Sequence, residues 1–388
     1  MNELRRKIEQ EIRERGPIPF WQYMEICLYD REFGYYSRNA GQFGKAGDFY
    51  TSSDVHAVFG RLLARQFDEM WRVMGSPERI VIRELGPGRG LFAQDVMDWS
   101  EKKFPEFFRA LRYELVEQSS ALRERIGQTL ARRLQAGKAA FAENPHVSRT
   151  ERARNGAPKE RRAQNVLTIV FANEFFDAIP VDVISSRGSL RIDSRDGRFV
   201  ETWVSASAEE LEFLDRYSLH PEEGERVEIS LLAQEEMASA CEFDAGFVVA
   251  IDYGYTRDEQ LAGRHRGTVK AIRQHSVSAN AYEAPGEQDI TADVNFTALS
   301  AVAEQRGFEV QKLITQSQFL MGIGEANQFA DAFDECRLPQ ERAKVALQVK
   351  HLVTPAGMGE SFHVLVASKG VDAKKTSELA GLSFGRRK

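Results

Sequence analysis

The chain has 388 residues with 52 Lys and Arg against 58 Asp and Glu, a formal charge of −6. That balance argues against general nucleic-acid binding and fits a cationic substrate better. Its 42% apolar and 28% charged content is that of a globular protein, long enough for one large or two modest domains. Three scattered cysteines and seven histidines show no ligand spacing, so no metal site and no disulfide framework is expected.

Residues 1 to about 15 carry Leu4, Ile8 and Ile12 at helical spacing and stop at Gly16-Pro17, predicting an amphipathic helix. Glu3, Glu9, Glu11 and Glu14 disagree with an acid-poor mitochondrial leader, and no apolar core marks a secretory signal. No run approaches the roughly 20 apolar residues of a membrane span. A cytoplasmic protein without membrane insertion is therefore the expectation. A second helix is predicted from Phe20 to Leu28, then an aromatic turn at Phe33-Gly34-Tyr35-Tyr36. Gly47-Asp48-Phe49-Tyr50-Thr51-Ser52-Ser53-Asp54 is turn-prone and rich in hydroxyls, ahead of a helix from about Val55 to Met74. Capping by Ser53 or Asp54 explains one or two of these residues, and a lid or binding loop is the alternative for the rest.

Ile80-Val81-Ile82, then Glu84-Leu85-Gly86-Pro87-Gly88-Arg89-Gly90, then a helical pattern from Leu91, read as strand, turn and helix. Gly86, Gly88 and Gly90 admit a ligand close to the backbone, and the helix start offers unpaired N–H groups. Gly88-Arg89-Gly90-Leu91-Phe92-Ala93 also satisfies the dinucleotide pattern. Glu84 discriminates: a carboxylate here repels a pyrophosphate, but suits the ammonium and sulfonium of S-adenosylmethionine (SAM). Leu111 to Glu117 reads as a second strand whose terminal acid, Glu117, is placed to bond the ribose hydroxyls. The alternative for Glu117 is a surface carboxylate at a strand end.

Residues 148–164 lack large apolar side chains and read as a solvated loop. Val166 to Phe171 is a continuous apolar run, the mark of a buried parallel strand. It carries Asn173-Glu174-Phe175-Phe176-Asp177-Ala178-Ile179-Pro180 to the carboxyl edge of the sheet, where α/β proteins bind ligands. Asn173, Glu174 and Asp177 are then beside the cofactor, unless both acids merely cap a helix beginning at Phe175. Alternation from Val181 to about Val204 predicts a β meander, and Phe247 to Gly254 another buried strand that brings Asp252 to the same edge. Residues 258–296 look irregular, helices are expected at Phe296 to Gln305 and within 318–350, and the last strands at Phe308 to Ile314 and Ser361 to Ser368. The fold class is α/β, a doubly wound Rossmann-like sheet. An N-terminal helical segment with a lid loop spans 1–54, and the core spans 55–370 with insertions at about 181–240 and 256–350. A flexible tail is expected at 371–388.

The blocks Gly47 to Ser52, Glu84 to Gly90, Asn173 to Pro180 and Asp252-Tyr253-Gly254 occur in the order seen in MidA-like proteins. Gly286 with Gln288-Asp289-Ile290-Thr291, Asp293-Val294-Asn295-Phe296 and Met358-Gly359-Glu360 follow in the same order. From about residue 10 to 370 the chain resembles this family, which is that of mitochondrial complex I assembly factor 7. The resemblance implies a class I SAM-dependent methyltransferase with Gly47, Asp48, Phe49, Thr51 and Ser52 close to the cofactor. It also implies a protein substrate methylated on arginine, by analogy a respiratory complex I subunit or its bacterial counterpart. For that chemistry Glu174 is the first choice as base, Asp177 a second carboxylate and Asn173 a further hydrogen-bonding group. A methyltransferase for a small molecule or another protein nitrogen, and an assembly factor that binds SAM without turnover, are the alternatives. The chain departs from the family at Ser53-Asp54, where Pro-Glu is common, and at 148–164. Nothing in the pattern indicates the oligomeric state.

Overall fold

The computed structural model describes residues 2–38, 57–142, 166–273, 276–278, 280–325, 327–355 and 357–385. The first helix, Glu3–Arg15, is capped by Asn2 and buries Leu4, Ile8 and Ile12, as their spacing requires. Strand β1 (Ile18–Pro19) leads into the helix Phe20–Tyr29. The helix Ala57–Val73 precedes β2 (Ile80–Leu85), and the glycine loop turns the chain into the helix Leu91–Lys103. Next come β3 (Leu111–Val116), β4 (Ala139–Phe141) and β5 (Leu167–Asn173).

An excursion follows through β6 (Asp182–Ser185), β7 (Gly188–Arg195), β8 (Arg198–Val204) and β9 (Arg226–Ile229) before β10 (Gly246–Tyr255) returns to the core. Residues 258–296, expected to be irregular, contain β11 (Lys270–Arg273), β12 (Ser276–Ser278), β13 (Asp289–Thr291) and β14 (Val294–Asn295). The chain ends through β15 (Glu309–Val310), β16 (Ile314–Thr315) and the long β17 (Phe362–Lys369).

The central sheet has the order β4-β3-β2-β5-β10-β17-β15. β2 runs parallel to β3 and β5, and β10 parallel to β5, whereas β17 is antiparallel to β10. From β2 the chain moves outward to β3 and β4, then crosses back to β5 on the other side of β2. The carboxyl ends of β2 and β5 therefore flank the topological switch point, where ligands bind in open α/β sheets. Both sheet faces are apolar, as buried parallel strands require. Ile82, Ile169, Phe171 and Val249 pack on one face with the helices 57–73 and 91–103, where Phe92 stacks on Phe171 at 4.4 Å. Val170, Ala172, Val248 and Ala250 pack on the other with the helices Leu231–Ala240 and Phe296–Gln305.

The N-terminal segment joins a second layer. Ile18 pairs with Ile192, so β1 extends the sheet β7-β6-β9. Leu4, Ile8 and Tyr23 share one apolar cluster with Val183, Leu190, Ile192, Phe199 and Ile290. The segment from Gly370, expected to fray, also packs: Ala373–Ser377 is helical and Thr376 and Leu379 are buried. The N–H of Gly381 donates to Gln66 at 2.8 Å and that of Ala380 to Glu69 at 2.9 Å. Burial of Leu379 and Ala380 beside the helix 57–73 is what overrides the polar composition of this tail.

Candidate functional site

Glu84 is the penultimate residue of β2 and is 5% exposed. The Tyr113 hydroxyl donates to its Oε2 at 2.8 Å. Burial pushes the Glu84 carboxyl up to about 8, with Tyr113 pulling it down and Glu117 adding repulsion. Beyond it, Gly86 and Gly88 have φ of +61° and +53°, a region costly for residues with a Cβ. A Cβ on Gly86 would approach the Phe175 ring to 2.9 Å, whereas one on Gly88 would point into open space. Gly90 precedes the helix Leu91–Lys103 without any side-chain cap, leaving its first N–H groups unclaimed by a capping side chain.

Glu117, just past β3, is buried and accepts the Ser119 N–H at 2.8 Å. Burial pushes its carboxyl up to about 7 against those backbone bonds. Tyr36 reaches the same corner: its carbonyl accepts the Ser119 hydroxyl at 3.3 Å, and its own hydroxyl donates to Asp289 at 3.2 Å. Tyr29 donates to the Ala178 carbonyl at 2.9 Å. The second layer thus meets the carboxyl edge of the sheet at residues 119 and 178.

Asn173 ends β5, and its Nδ2 donates to Glu174 Oε1 at 3.1 Å. Its Oδ1 is buried with no hydrogen-bond partner among the described residues. Glu174 has φ of +50°, unusual for a residue with a side chain. Residues 174–180 form a turn, so the alternative in which Glu174 and Asp177 cap a helix at Phe175 is corrected. Asp252, within the second half of β10, organises this turn instead: its carboxylate accepts the N–H groups of Phe175, Phe176 and Asp177. Burial, then the Asp293 charge, pushes Asp177 up to about 7. Burial and the neighbouring Asp177 and Glu174 also raise Asp252, opposed by its backbone donors.

Glu84 and the glycine loop, Glu117, and the Asn173-to-Asp177 turn are thereby brought to one edge. Gly47, Asp48, Phe49, Thr51 and Ser52, expected against the cofactor, lie outside the described residues. Tyr113, Tyr29 and Tyr36 were not singled out. Tyr113 had a signal, since it follows the β3 alternation and faces Glu84 once β2 and β3 pair in register. Tyr29 and Tyr36 carried none, because their partners lie far along the chain. Among the described residues there is no group of three or more His, Cys, Asp or Glu that could hold a metal. Nor is any helix long and apolar enough to cross a membrane.

These residues fit SAM. A buried carboxylate with one neutral donor offers a partner to an ammonium, Glu117 has lone pairs left for hydroxyls, and Gly88 opens a space that a Cβ would narrow. A pyrophosphate would push both raised carboxyls still higher, whereas an ammonium draws Glu84 back toward the ionised form that pairs with it.

Comparison with known proteins agrees. A family model described as “Putative S-adenosyl-L-methionine-dependent methyltransferase” matches residues 62–314. The “Protein arginine methyltransferase NDUFAF7 homolog, mitochondrial” of Drosophila melanogaster is 31% identical, the match covering 98% of this chain and 88% of that protein. The human “Protein arginine methyltransferase NDUFAF7, mitochondrial” is 26% identical, over 92% of this chain and 81% of its own length. A Burkholderia thailandensis protein solved with S-adenosyl-homocysteine superposes with a TM-score of 0.78 at 26% identity, covering 96% of this chain and 93% of that one.

Proposed function

Because the chain belongs to the S-adenosyl-L-methionine-dependent methyltransferase family that its residues 62–314 match, we propose that it methylates an arginine side chain of a protein, with Glu174 as the base. The observation that carries this reading is the pair at the end of β5. Asn173 Nδ2 donates to Glu174 Oε1 at 3.1 Å and Asn173 Oδ1 has no partner among the described residues, so the linked pair supplies acceptors for the planar N–H fork of a guanidinium. The relatives named above are called protein arginine methyltransferases, which supports the same acceptor.

SAM supplies an electrophilic methyl group on a sulfonium. The protein has to bring a second cation, the protonated guanidinium, up to it. Two unit charges ~4 Å apart repel by about 4 kcal/mol at an effective dielectric of ~20. A Glu174 carboxylate beside the acceptor offsets that repulsion with opposite charge. Bonds from the guanidinium to Glu174 and Asn173 orient one nitrogen for in-line attack. Glu174 then takes the proton that the nitrogen releases. We assign Glu84 to the SAM ammonium, Glu117 to its ribose hydroxyls, and the backbone at Gly86, Gly88 and Gly90 to the close approach that the cofactor needs. Gly47, Asp48, Phe49, Thr51 and Ser52 stay in the proposal as further cofactor contacts, on the resemblance alone.

The domain division carries over likewise: an N-terminal helical segment with a lid loop at 1–54, and a core at about 55–370 that binds SAM and carries insertions at about 181–240 and 256–350. The partner that the resemblance suggests is a respiratory complex I subunit or its bacterial counterpart, met in the cytoplasm. The test is Glu174→Gln, with SAM binding and methyl transfer to an acceptor lysate measured separately. Transfer should fall by about 10²–10⁴-fold with SAM binding kept. Mass spectrometry of the labelled product should find methylarginine. Wild-type transfer in the variant, or label on another atom, would overturn the reading.

A further inference from the structure

Asp252 makes more bonds than a carboxylate within a strand requires. Its Oδ2 accepts the N–H groups of Phe175 at 3.1 Å, Phe176 at 2.8 Å and Asp177 at 3.3 Å, and its Oδ1 accepts that of Tyr253 at 2.9 Å. It is 1% exposed and forms no ion pair among the described residues. Its charged neighbours are Asp177 and Glu174, both acids. Burying a carboxylate beside two others is costly, so a feature of this kind survives where it fixes something the fold needs.

What it fixes is the turn after Glu174. Three successive N–H groups converging on one carboxyl oxygen form a backbone nest, which sets the direction in which the chain leaves β5. Glu174 sits at the entry to that nest with φ of +50°, and its own N–H is tied to the Ile251 carbonyl at 3.0 Å. A residue with a Cβ stays in this conformation only where the surroundings impose it. The bonds on either side therefore determine where its Cα–Cβ vector points, and Asn173 steadies the carboxylate at the far end.

We propose that Asp252 is a positioning residue of the methyl transfer, holding the 175–177 turn so that Glu174 presents its carboxylate to the acceptor. The inference rests on the role given to Glu174 above. Asp252 acts through the turn, since it is buried and both its oxygens accept backbone N–H groups. Its loss acts by letting Glu174 drift, and a displacement of ~1 Å in a reacting group costs up to about 10²-fold in rate.

The experiment uses the full chain, methyl-tritiated SAM, and as acceptor source a lysate of cells lacking this protein. Asp252→Asn keeps one acceptor oxygen for the three N–H groups, and Asp252→Ala keeps none. At saturating lysate the labelling rate should fall about tenfold in the Asn variant and about a hundredfold in the Ala variant. The SAM Kd by calorimetry should stay within about threefold, and the Asn variant should melt close to wild type. In a Glu174→Gln background, where the positioned carboxylate is gone, adding Asp252→Asn should lower the residual rate by less than about threefold. A full tenfold drop in that background, parallel loss of SAM binding and rate, or wild-type rates in both Asp252 variants would overturn the inference. Wild-type transfer in Glu174→Gln alone sinks the reading of Glu174. Lost transfer there beside an unchanged Asp252→Ala sinks only the role of Asp252.

Discussion

Glu174→Gly and Glu174→Ala, compared side by side, separate the chemistry of this position from its backbone. Both remove the carboxylate, the bond from Asn173 Nδ2 and the repulsion toward Asp252. They differ in the Cβ. At φ of +50° a Cβ costs roughly 1–2 kcal/mol, whereas glycine is at ease there. Against this, glycine loses roughly 0.5–1 kcal/mol more backbone entropy on folding. The net expectation is that the Gly variant is about 0.5–1 kcal/mol more stable than the Ala variant, read from urea midpoints at equal m-values. Neither should transfer methyl groups. If the Ala variant is as stable as the Gly variant, Glu174 stores no backbone strain. If the Gly variant transfers at the wild-type rate, a carboxylate at this position is not the base.

Glu84 links binding to pH. Its folded-state value of about 8 lies above the ordinary 4.5, so the folded protein holds more protons between those values. The free protein should then lose stability as pH rises from about 4.5 to about 8, and Glu84→Gln should flatten that slope. An ammonium binding there expels the proton, so calorimetry should find SAM affinity rising between pH 6 and 8, by at most about tenfold per unit. Tyr113→Phe removes the hydroxyl donor that draws the Glu84 carboxyl down and should push the midpoint of that rise upward. Glu117→Ala should raise the SAM Kd by about 10–100-fold, the roughly 1.5–3 kcal/mol of a bond to a charged acceptor. Gly381→Ala puts a Cβ 2.4 Å from the Phe319 ring and 2.8 Å from Gln66 Oε1. A thermal melt should show a loss of about 1–3 kcal/mol from this overpacking, with SAM affinity unchanged.

Much of the site could be read from local pattern. The β-branched run before Glu84, the glycines that follow and the apolar strand ending at Asn173 are short-range signals, because strand period and turn chemistry depend on neighbouring residues. The same holds for the alternation that marked the meander and for the helix 296–305. The position of Glu117 just past β3 could be read from its spacing to the loop, and that of Asp252 from the buried strand that carries it. The acid two residues before Gly86 was enough to favour a cationic cofactor over a pyrophosphate.

Tertiary structure decided the rest, because it depends on pairings that leave no local trace. Asp252 reaches back 77 positions to the Phe175 N–H and gathers into a backbone nest the segment whose alternative was a helix start. Tyr29 spans 149 positions to the Ala178 carbonyl, and Ile18 finds Ile192, which places the N-terminal segment in the second layer. The polar tail from Gly370 is held because Leu379 and Ala380 find an apolar seat and Gly381 a buried acceptor. Residue order along the chain determined the strands, the turns and the kind of cofactor. The course of the backbone after Glu174 depends on the pairing of β5 with β10, which brings Asp252 to the turn.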